Sequence, residues 1–404
     1  MYLIRRAKLT DAPTLLKLAK MVHFINLPPD KEIIQAKIIH SRNTFLRAAG
    51  GEDGYEPEAV PESVNQSVKA DKSMGGLGAT THESDLFMFV LEDTESGQPL
   101  GSSQILAKMG GKGRPNVSFK LSQKQFFSKS LQTGTSHTVA ELYLDESAPS
   151  EIGGLILQPS LRGHKKKLGL FLSLVRFHVM GLHRSRFAGR VLAEMMAPIT
   201  PEGESLLWDF LGRRFVPLSY DEADRFCQYS REFITALLPR EPIYLSLLPP
   251  AARSVVGEVH AETKSARKML ERLGFAYRGF VDPFDGGPHL DAQTDDIIPV
   301  QNTTQRTVSE PVTMGQCDAD CIVSSLASDG EFIAIHEKVK LVGDDRIAMP
   351  KAYMAALNIE PGDTVGVTPM DFMNKPKPSA EQAVESRPEK PAKKSRKSKA
   401  GSAR

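Results

Sequence analysis

The sequence predicts an α+β protein built on a mixed central sheet, and three patterns in its 404 residues lead to this class. Apolar segments typical of strands occur singly and in pairs between amphipathic helical segments. Residues 86–93 and 99–109 flank the turn Glu95-Ser96-Gly97 and predict an antiparallel hairpin. A polar loop joins a strand-like segment, EIGGLILQP, to a helical one, LGLFLSLVRFHVMGL.

The N-terminal segment predicts a strand followed by a helix. Residues 2–6 are strand-like, Thr10 or Asp11 can cap a helix, and Pro13 suits its first turn. Residues 49–83 contain few large apolar side chains and many Gly, Ser, Glu and Pro residues, so we expect a disordered insertion there.

The chain divides into four predicted regions. Two amphipathic helices that end in Leu211-Gly212 and Leu273-Gly274 suggest a weak internal duplication, with each glycine suited to a left-handed helix end. We expect a first unit over 1–217, a shorter second unit over 218–299, a connector and small β-rich module over 300–370, and a disordered basic tail over 371–404.

Composition excludes several classes of protein. Residues 390–404 carry seven basic side chains, and removing them from the net charge of +2 leaves −5, so the body is mildly acidic. Three cysteines are too few for a disulfide scaffold and indicate a reducing compartment, the cytoplasm. There is no run of about 18 apolar residues, so we expect no membrane span.

The first candidate site is the loop between the strand and the helix named above. Leu155 and Leu157 lie in the strand, Arg162 and Gly163 in the loop, and Gly169 at the helix start. The N–H groups at such a helix start suit a pyrophosphate. The segment resembles the acyl-CoA loop of GCN5-related N-acetyltransferases. The alternative is an ordinary turn with a solvated run of lysines.

The second candidate is His260, in the segment Gly257-Glu258-Val259-His260. When an amine attacks a thioester, an ammonium proton is lost and a thiolate leaves. A histidine whose pKa is near neutrality can handle either proton. The alternative is a surface or helix-capping histidine.

These motifs together resemble the arginine N-succinyltransferase family. The chain shares with it a Gly-x-Val-His motif, then Leu-Gly-Phe, then Pro283-Phe-Asp-Gly-Gly-Pro288, within a match from Tyr2 to about Pro369. The resemblance implies transfer of succinyl from succinyl-CoA to the α-amino group of L-arginine, in arginine degradation. It also implies tandem acyl-CoA N-acyltransferase-like lobes with mixed central sheets, an oligomer, His260 as proton donor and Leu155 at succinyl-CoA.

A substrate arginine would need a carboxylate to bind its guanidinium. Asp285 in the Phe-Asp-Gly-Gly-Pro turn and Glu194 are the candidates, with Glu151 and Asp145 also considered. The alternative for Asp285 is a turn-capping aspartate that contacts no ligand. The reaction needs succinyl-CoA as co-substrate and no tightly bound cofactor or metal.

Two other functions remain open from the sequence. The enzyme would act on another amine, such as ornithine, or the chain would be a non-catalytic DNA-associated regulator. The DNA-associated function rests on the basic tail and on residues 347–367, which are similar to AbrB-type DNA-binding modules. No aromatic residues interleave with the tail lysines, which argues against nucleic-acid binding by the tail. Cys317 and Cys321 lack a second ligand pair, which excludes a zinc site.

Overall fold

The computed structural model describes residues 1–21, 27–50, 84–227 and 230–374. Its strands are β1 (Tyr2–Arg6), β2 (Leu86–Asp93), β3 (Gln98–Leu106), β4 (Asn116–Ser128), β5 (Thr133–Asp145), β6 (Ser150–Leu157), β7 (Arg190–Glu194), β8 (Ile243–Tyr244), β9 (Ala276–Val281), β10 (Pro288–Gln293), β11 (Thr304–Val308), β12 (Ala319–Leu326), β13 (Phe332–Val342), β14 (Arg346–Ala348) and β15 (Thr364–Pro369). Its α-helices are α1 (Ala12–Ala19), α2 (Lys31–Gly50), α3 (Leu168–Leu182), α4 (Leu206–Phe210), α5 (Tyr220–Cys227), α6 (Glu232–Leu237), α7 (Pro250–Val255), α8 (Lys264–Arg272), α9 (Ile298–Asn302) and α10 (Lys351–Leu357).

One continuous sheet runs through the described residues in the order β12-β15-β11-β14-β13-β1-β2-β3-β6-β7-β10-β9-β4-β5-β8. The pairs β6–β7 and β11–β14 are parallel, and the other pairs are antiparallel. The predicted α+β class with a mixed central sheet is therefore confirmed. The predicted hairpin is β2–β3, which pairs from Leu86 with Leu106 to Asp93 with Gln98.

The main core lies between the sheet and α3, and it includes Phe171, Leu172 and Phe177 of that helix. Alternate residues of β2 point to opposite faces, as expected for a strand. Phe87 and Phe89 therefore join the main core, whereas Met88 and Val90 pack with α1 and the start of α2. The centre of the sheet is thus covered on both faces.

A second core lies under β4, β5 and β9, and it is covered by α4 to α7. Trp208 of α4 is fully buried there and stacks on Phe284 at 4.7 Å between ring centroids. Phe119 of β4 belongs to the same core. This core therefore draws residues from both sides of residue 217, where the sequence placed a boundary.

Five C-terminal strands form a closed ring, because β12 pairs with both β15 and β13 at the two ends of the order β12-β15-β11-β14-β13. The ring encloses its own core, which includes Val323, Ile335 and Val367. β13 also pairs with β1, at Ile4 with Ala334, and so joins the ring to the central sheet.

Two details differ from the sequence expectations. Gly274 has the expected positive φ of 104°, but Gly212 does not have a positive φ. Gly212 instead packs against Trp208, whose ring would lie 2.2 Å from a Cβ at this position. Asp371–Asn374 form a short 3-10 helix with Phe372 buried, so folded structure extends past residue 370.

Other expectations fall mostly outside the described residues. The predicted insertion over 49–83 has only its first two residues described, at the end of α2, and the basic tail is described only to residue 374. Among the described residues, every helix is too short or too polar to cross a membrane.

Candidate active site where strands β6 and β7 diverge

The parallel strands β6 and β7 pair only at their beginnings. Ser150 pairs with Val191 and Glu151 with Leu192, and no later pair joins the two strands in this part of the chain. A register shift between β3 and β6 and a φ of 58° at Gly154 mark a bulge just beyond this point. Since bulges bend a strand and end its pairing, β6 turns away from β7 and leaves its backbone edge open.

Three residues predicted for the co-substrate meet beside this opening. Leu155 and Leu157 are half-buried and lie against the main core. Gly169 in the first turn of α3 lies next to β6, since a Cβ there would be 3.6 Å from a methyl of Leu157, an ordinary van der Waals contact. The start of α3 therefore packs beside the open strand edge.

The predicted loop connects this strand to α3 by two tight turns. Gly163 has a φ of 74°, and Lys167 is the left-handed residue that precedes the helix. The amide groups of a first helical turn have no intrahelical acceptor and carry a partial positive charge. The loop thus presents the beginning of α3 as a site suited to an anion.

His260 is held beside the end of β7. Its backbone N–H donates to the carbonyl of Met196 at 2.8 Å, and its ring Nδ1 accepts the backbone N–H of Glu262 at 3.3 Å. His260 therefore caps the 3-10 helix Ala261–Thr263, as the capping alternative proposed. This cap leaves the hydrogen of the neutral ring on Nε2.

Glu262 connects the two predicted motifs. Its N–H binds the ring of His260, while its carboxylate forms an ion pair with Arg162 at 2.8 Å. Both charged side chains are exposed, so the pair adds little stability. Its importance is geometric, because it places the loop at Arg162 next to the histidine.

The Phe284-Asp285-Gly286-Gly287-Pro288 turn joins this region to β7. The two carboxylate oxygens of Asp285 accept the N–H of Ala197 at 2.9 Å and of Gly287 at 2.6 Å. Gly257 donates to the carbonyl of Gly286 at 2.8 Å. Burial, together with the charge of nearby Asp282, raises the pKa of Asp285 to about 7. Asp285 thus caps the turn, which corresponds to the capping alternative.

Glu194 lines a small cleft together with Asn116, Arg231 and Asp282. Glu194 pairs across the sheet with His289 of β10, whose Nε2 is 3.8 Å from Glu194 and 4.0 Å from Asp282. Burial disfavours the charged imidazolium, but the carboxylates of Glu194, Asp282 and Asp285 outweigh it and raise the pKa of His289. Within the described residues, Nε2 of His289 has no hydrogen-bond partner.

A guanidinium lies in the same cleft as these carboxylates. Arg231 donates to Oδ1 of Asn116 at 3.3 Å, and Nδ2 of Asn116 donates to Glu194 at 3.4 Å. Burial opposes the charge of Arg231, yet the surrounding acidic groups raise its pKa. The cleft therefore holds fixed charges of both signs.

Metal binding is also geometrically conceivable in this cleft. Glu194, Asp282 and His289 place one ligand atom each within 4.8 Å of one another, the one such group found among the described residues. The charge of Arg231 in the same cleft opposes an added metal cation. Cys317 and Cys321 are buried free thiols outside this group.

Sequence reasoning missed four residues in or beside the cleft, namely Asn116, Arg231, Asp282 and His289. Asp282 and His289 had a signal, because they directly flank the motif Pro283–Pro288. Asn116 and Arg231 come from β4 and the start of α6, and nothing in their local sequence places them together.

Comparison with known proteins gives the family of this fold and site. A family model described as the arginine N-succinyltransferase beta subunit matches residues 55–299. An arginine N-succinyltransferase of Yersinia pseudotuberculosis is 34% identical over 287 residues, which cover 70% of this chain and 81% of the relative. Its counterpart in Yersinia enterocolitica is 31% identical over 372 residues, covering 90% and 96%.

A solved structure agrees with these matches. The structure of arginine/ornithine succinyltransferase subunit AI from Pseudomonas aeruginosa superposes with a TM-score of 0.70 at 26% identity, covering 91% of this chain and 98% of that one. The family model spans more than half of the chain, and the relatives match over most of their length. The chain belongs to the arginine N-succinyltransferase family.

Proposed function

We propose that the protein transfers the succinyl group of succinyl-CoA to the α-amino group of L-arginine, giving N2-succinyl-L-arginine and free CoA in arginine catabolism. The observation that carries this proposal is the placement of His260 beside the opening between β6 and β7, next to the Arg162 loop. Such an opening can admit a thioester, and the histidine beside it can serve the proton transfer.

Succinyl-CoA binds along the open edge of β6 in this proposal. The loop at Arg162 and Gly163 and the first turn of α3 at Gly169 bind the pyrophosphate. Backbone N–H groups near Leu155 and Leu157 stabilise the oxyanion that forms when the thioester carbonyl is attacked. Apolar contact with the same leucines holds the acyl end of the co-substrate.

The chemical step exchanges a C–S bond for a C–N bond. The α-amino nitrogen attacks the thioester carbon, the tetrahedral intermediate collapses, and the CoA sulfur leaves. One proton moves from the amine nitrogen to the sulfur, and His260 relays it through Nε2. Atoms and charges balance without a redox step, so no tightly bound cofactor is required.

The cleft beside His260 binds the acceptor. We assign recognition of the guanidinium to Glu194, together with Asp282, which lines the same cleft. Asp285 was the other candidate from the sequence, but both of its oxygens accept backbone N–H groups. Its proposed role is to hold the turn against the segment that follows β7.

The proposal predicts arginine-dependent thiol release from succinyl-CoA. Ornithine, lysine and acetyl-CoA serve as comparison substrates in the same assay. Release with arginine alone, or with arginine well above the others, supports the proposal. Release with another amine but not with arginine would identify a different acceptor for the same acyl transfer. If no combination of amine and acyl-CoA releases thiol, acyl transfer itself is contradicted.

Ornithine is the second candidate acceptor. The solved structure that resembles this chain is described as an arginine/ornithine succinyltransferase subunit. A DNA-associated regulator is not favoured, because the matching relatives are named as acyltransferases. The cytoplasm stays the expected compartment from the cysteine content.

We further propose that the chain works as an oligomer of tandem acyltransferase-like lobes. Phe127 and Leu131, on the β4–β5 hairpin, are 65% and 75% exposed, which is unusual for large apolar side chains at one tip. Replacing both by glutamate is expected to lower the solution mass to that of a single chain. Light scattering measures this, and an unchanged mass would exclude the hairpin as the contact.

A further inference from the structure

Among the described residues, Arg231 has no carboxylate partner, in contrast to Arg162 and Arg190. Its one hydrogen bond to a side chain in the described part of the chain goes to Asn116 Oδ1, at 3.3 Å, and no carboxylate there is within ion-pair distance. By contrast, Arg190 near the start of β7 pairs with both Asp145 and Asp291. A guanidinium has five N–H donors, so Arg231 keeps donors for an anion.

The acids of the cleft attract Arg231 through their charge but form no ion pair with it among the described residues. Glu194 and Asp282 lie at 3.8 and 4.0 Å from Nε2 of His289, which sits between them. The cleft thus offers two carboxylates around His289 and one guanidinium on the far side of Asn116. A zwitterionic molecule with a cationic side chain complements this arrangement, since it brings one anionic group and one cationic group.

The cleft is close to the reacting centre. Glu194 ends β7, and two residues later the carbonyl of Met196 accepts the N–H of His260. Asn116 contacts both Glu194 and Arg231, so the guanidinium is one side chain away from the end of this strand. A group bound at Arg231 is therefore in place to orient an amine that reacts beside β7.

We propose that Arg231 binds the α-carboxylate of the acceptor amino acid and thereby selects α-amino acids over simple amines. The inference rests on the proposed acyl transfer to an amino acid. Of the acceptor's charged groups, only the α-carboxylate is anionic, and arginine binds carboxylates through two parallel hydrogen bonds. The α-carbon, which bears both the carboxylate and the reacting amine, then has a fixed position.

Agmatine tests this assignment, because it is arginine without the carboxylate and keeps both the guanidinium and the corresponding primary amine. The intact protein is expected to favour arginine over agmatine. Arg231→Gln is expected to lose about 100-fold in kcat/KM for arginine, the size expected for a lost hydrogen bond between charged groups, and to leave agmatine nearly unchanged. Arg231→Lys is expected to recover part of the loss.

Arg225→Gln is the matched control, because Arg225 is exposed on the neighbouring helix α5. It is expected to leave both acceptors unchanged. An equal loss on arginine and agmatine in Arg231→Gln would assign Arg231 a structural role and overturn the inference. An unchanged arginine rate, or an intact protein that uses agmatine as well as arginine, would overturn it too.

Calorimetric binding of arginine and agmatine separates this inference from the proposed reaction. If the intact protein releases no thiol with any amine, the reaction has failed, but binding still reports on Arg231. Arginine binding that weakens in Arg231→Gln, with agmatine binding unaltered, supports the carboxylate site. Equal binding of arginine by both proteins contradicts it.

Discussion

His260→Ala is expected to reduce turnover by about 10²–10⁴-fold, the usual range for removal of one proton-transfer group, while succinyl-CoA still binds. The proposed co-substrate residues Leu155, Leu157 and Gly169 are on β6 and α3, so the substitution removes none of them. The reaction then lacks the group that carries the amine proton to sulfur. Steady-state thiol release and calorimetric binding of CoA measure the two effects separately.

Alanine at this position also removes a helix cap, because Nδ1 of His260 accepts the N–H of Glu262. Loss of a cap typically costs about 1 kcal/mol. His260→Asn is the matched control, since asparagine is a good cap but has no group that titrates near neutrality. We expect normal stability and the same loss of turnover in His260→Asn. Near-normal turnover in either folded variant would remove His260 from the mechanism.

The sequence predicted those candidate residues that are contiguous in the chain. The strand, loop and helix at 155–169 follow one another directly, so local pattern was enough to place Leu157 near Gly169. His260 was identified through its motif, and the structure places it at a helix start beside β7.

The cleft was not predictable in the same way. Its charged groups Glu194, Arg231 and Asp282 come from β7, the start of α6 and the residue after β9, and they meet only because the sheet orders its strands as β7-β10-β9-β4. That order is a property of long-range pairing, which strand patterns do not encode. Which of Asp282 and Asp285 faces the cleft likewise depends on the path of the backbone in the turn, where Gly286 has a φ of 83°.

Gly212 shows a related limit. Its position after a helical leucine suggested a left-handed helix end, but close packing against the ring of Trp208, four residues earlier, explains the residue instead. Absence of a side chain can satisfy either a backbone conformation or a close approach, and the local sequence is the same in both cases.

Gly287→Ala is expected to damage both stability and activity. A Cβ at this position would lie 1.8 Å from the carbonyl oxygen of Met195 and 2.9 Å from the nitrogen of Ala197. Both atoms belong to backbone, so the turn and the segment after β7 must separate. Overpacking of this kind typically costs about 1–3 kcal/mol. Chemical denaturation measures the change in the free energy of unfolding.

Turnover is expected to fall by about 10²-fold, the cost of a displacement near 1 Å in a reacting group. The segment that must move contains Met196, whose carbonyl fixes the backbone of His260. Gly315→Ala is the control, because a Cβ there meets no atom within 4 Å and needs no left-handed φ. If the two alanine variants unfold at the same denaturant concentration and turn over equally, the turn does not position His260. Loss confined to Gly287→Ala would show that a residue with no side chain holds the proton-transfer group in place.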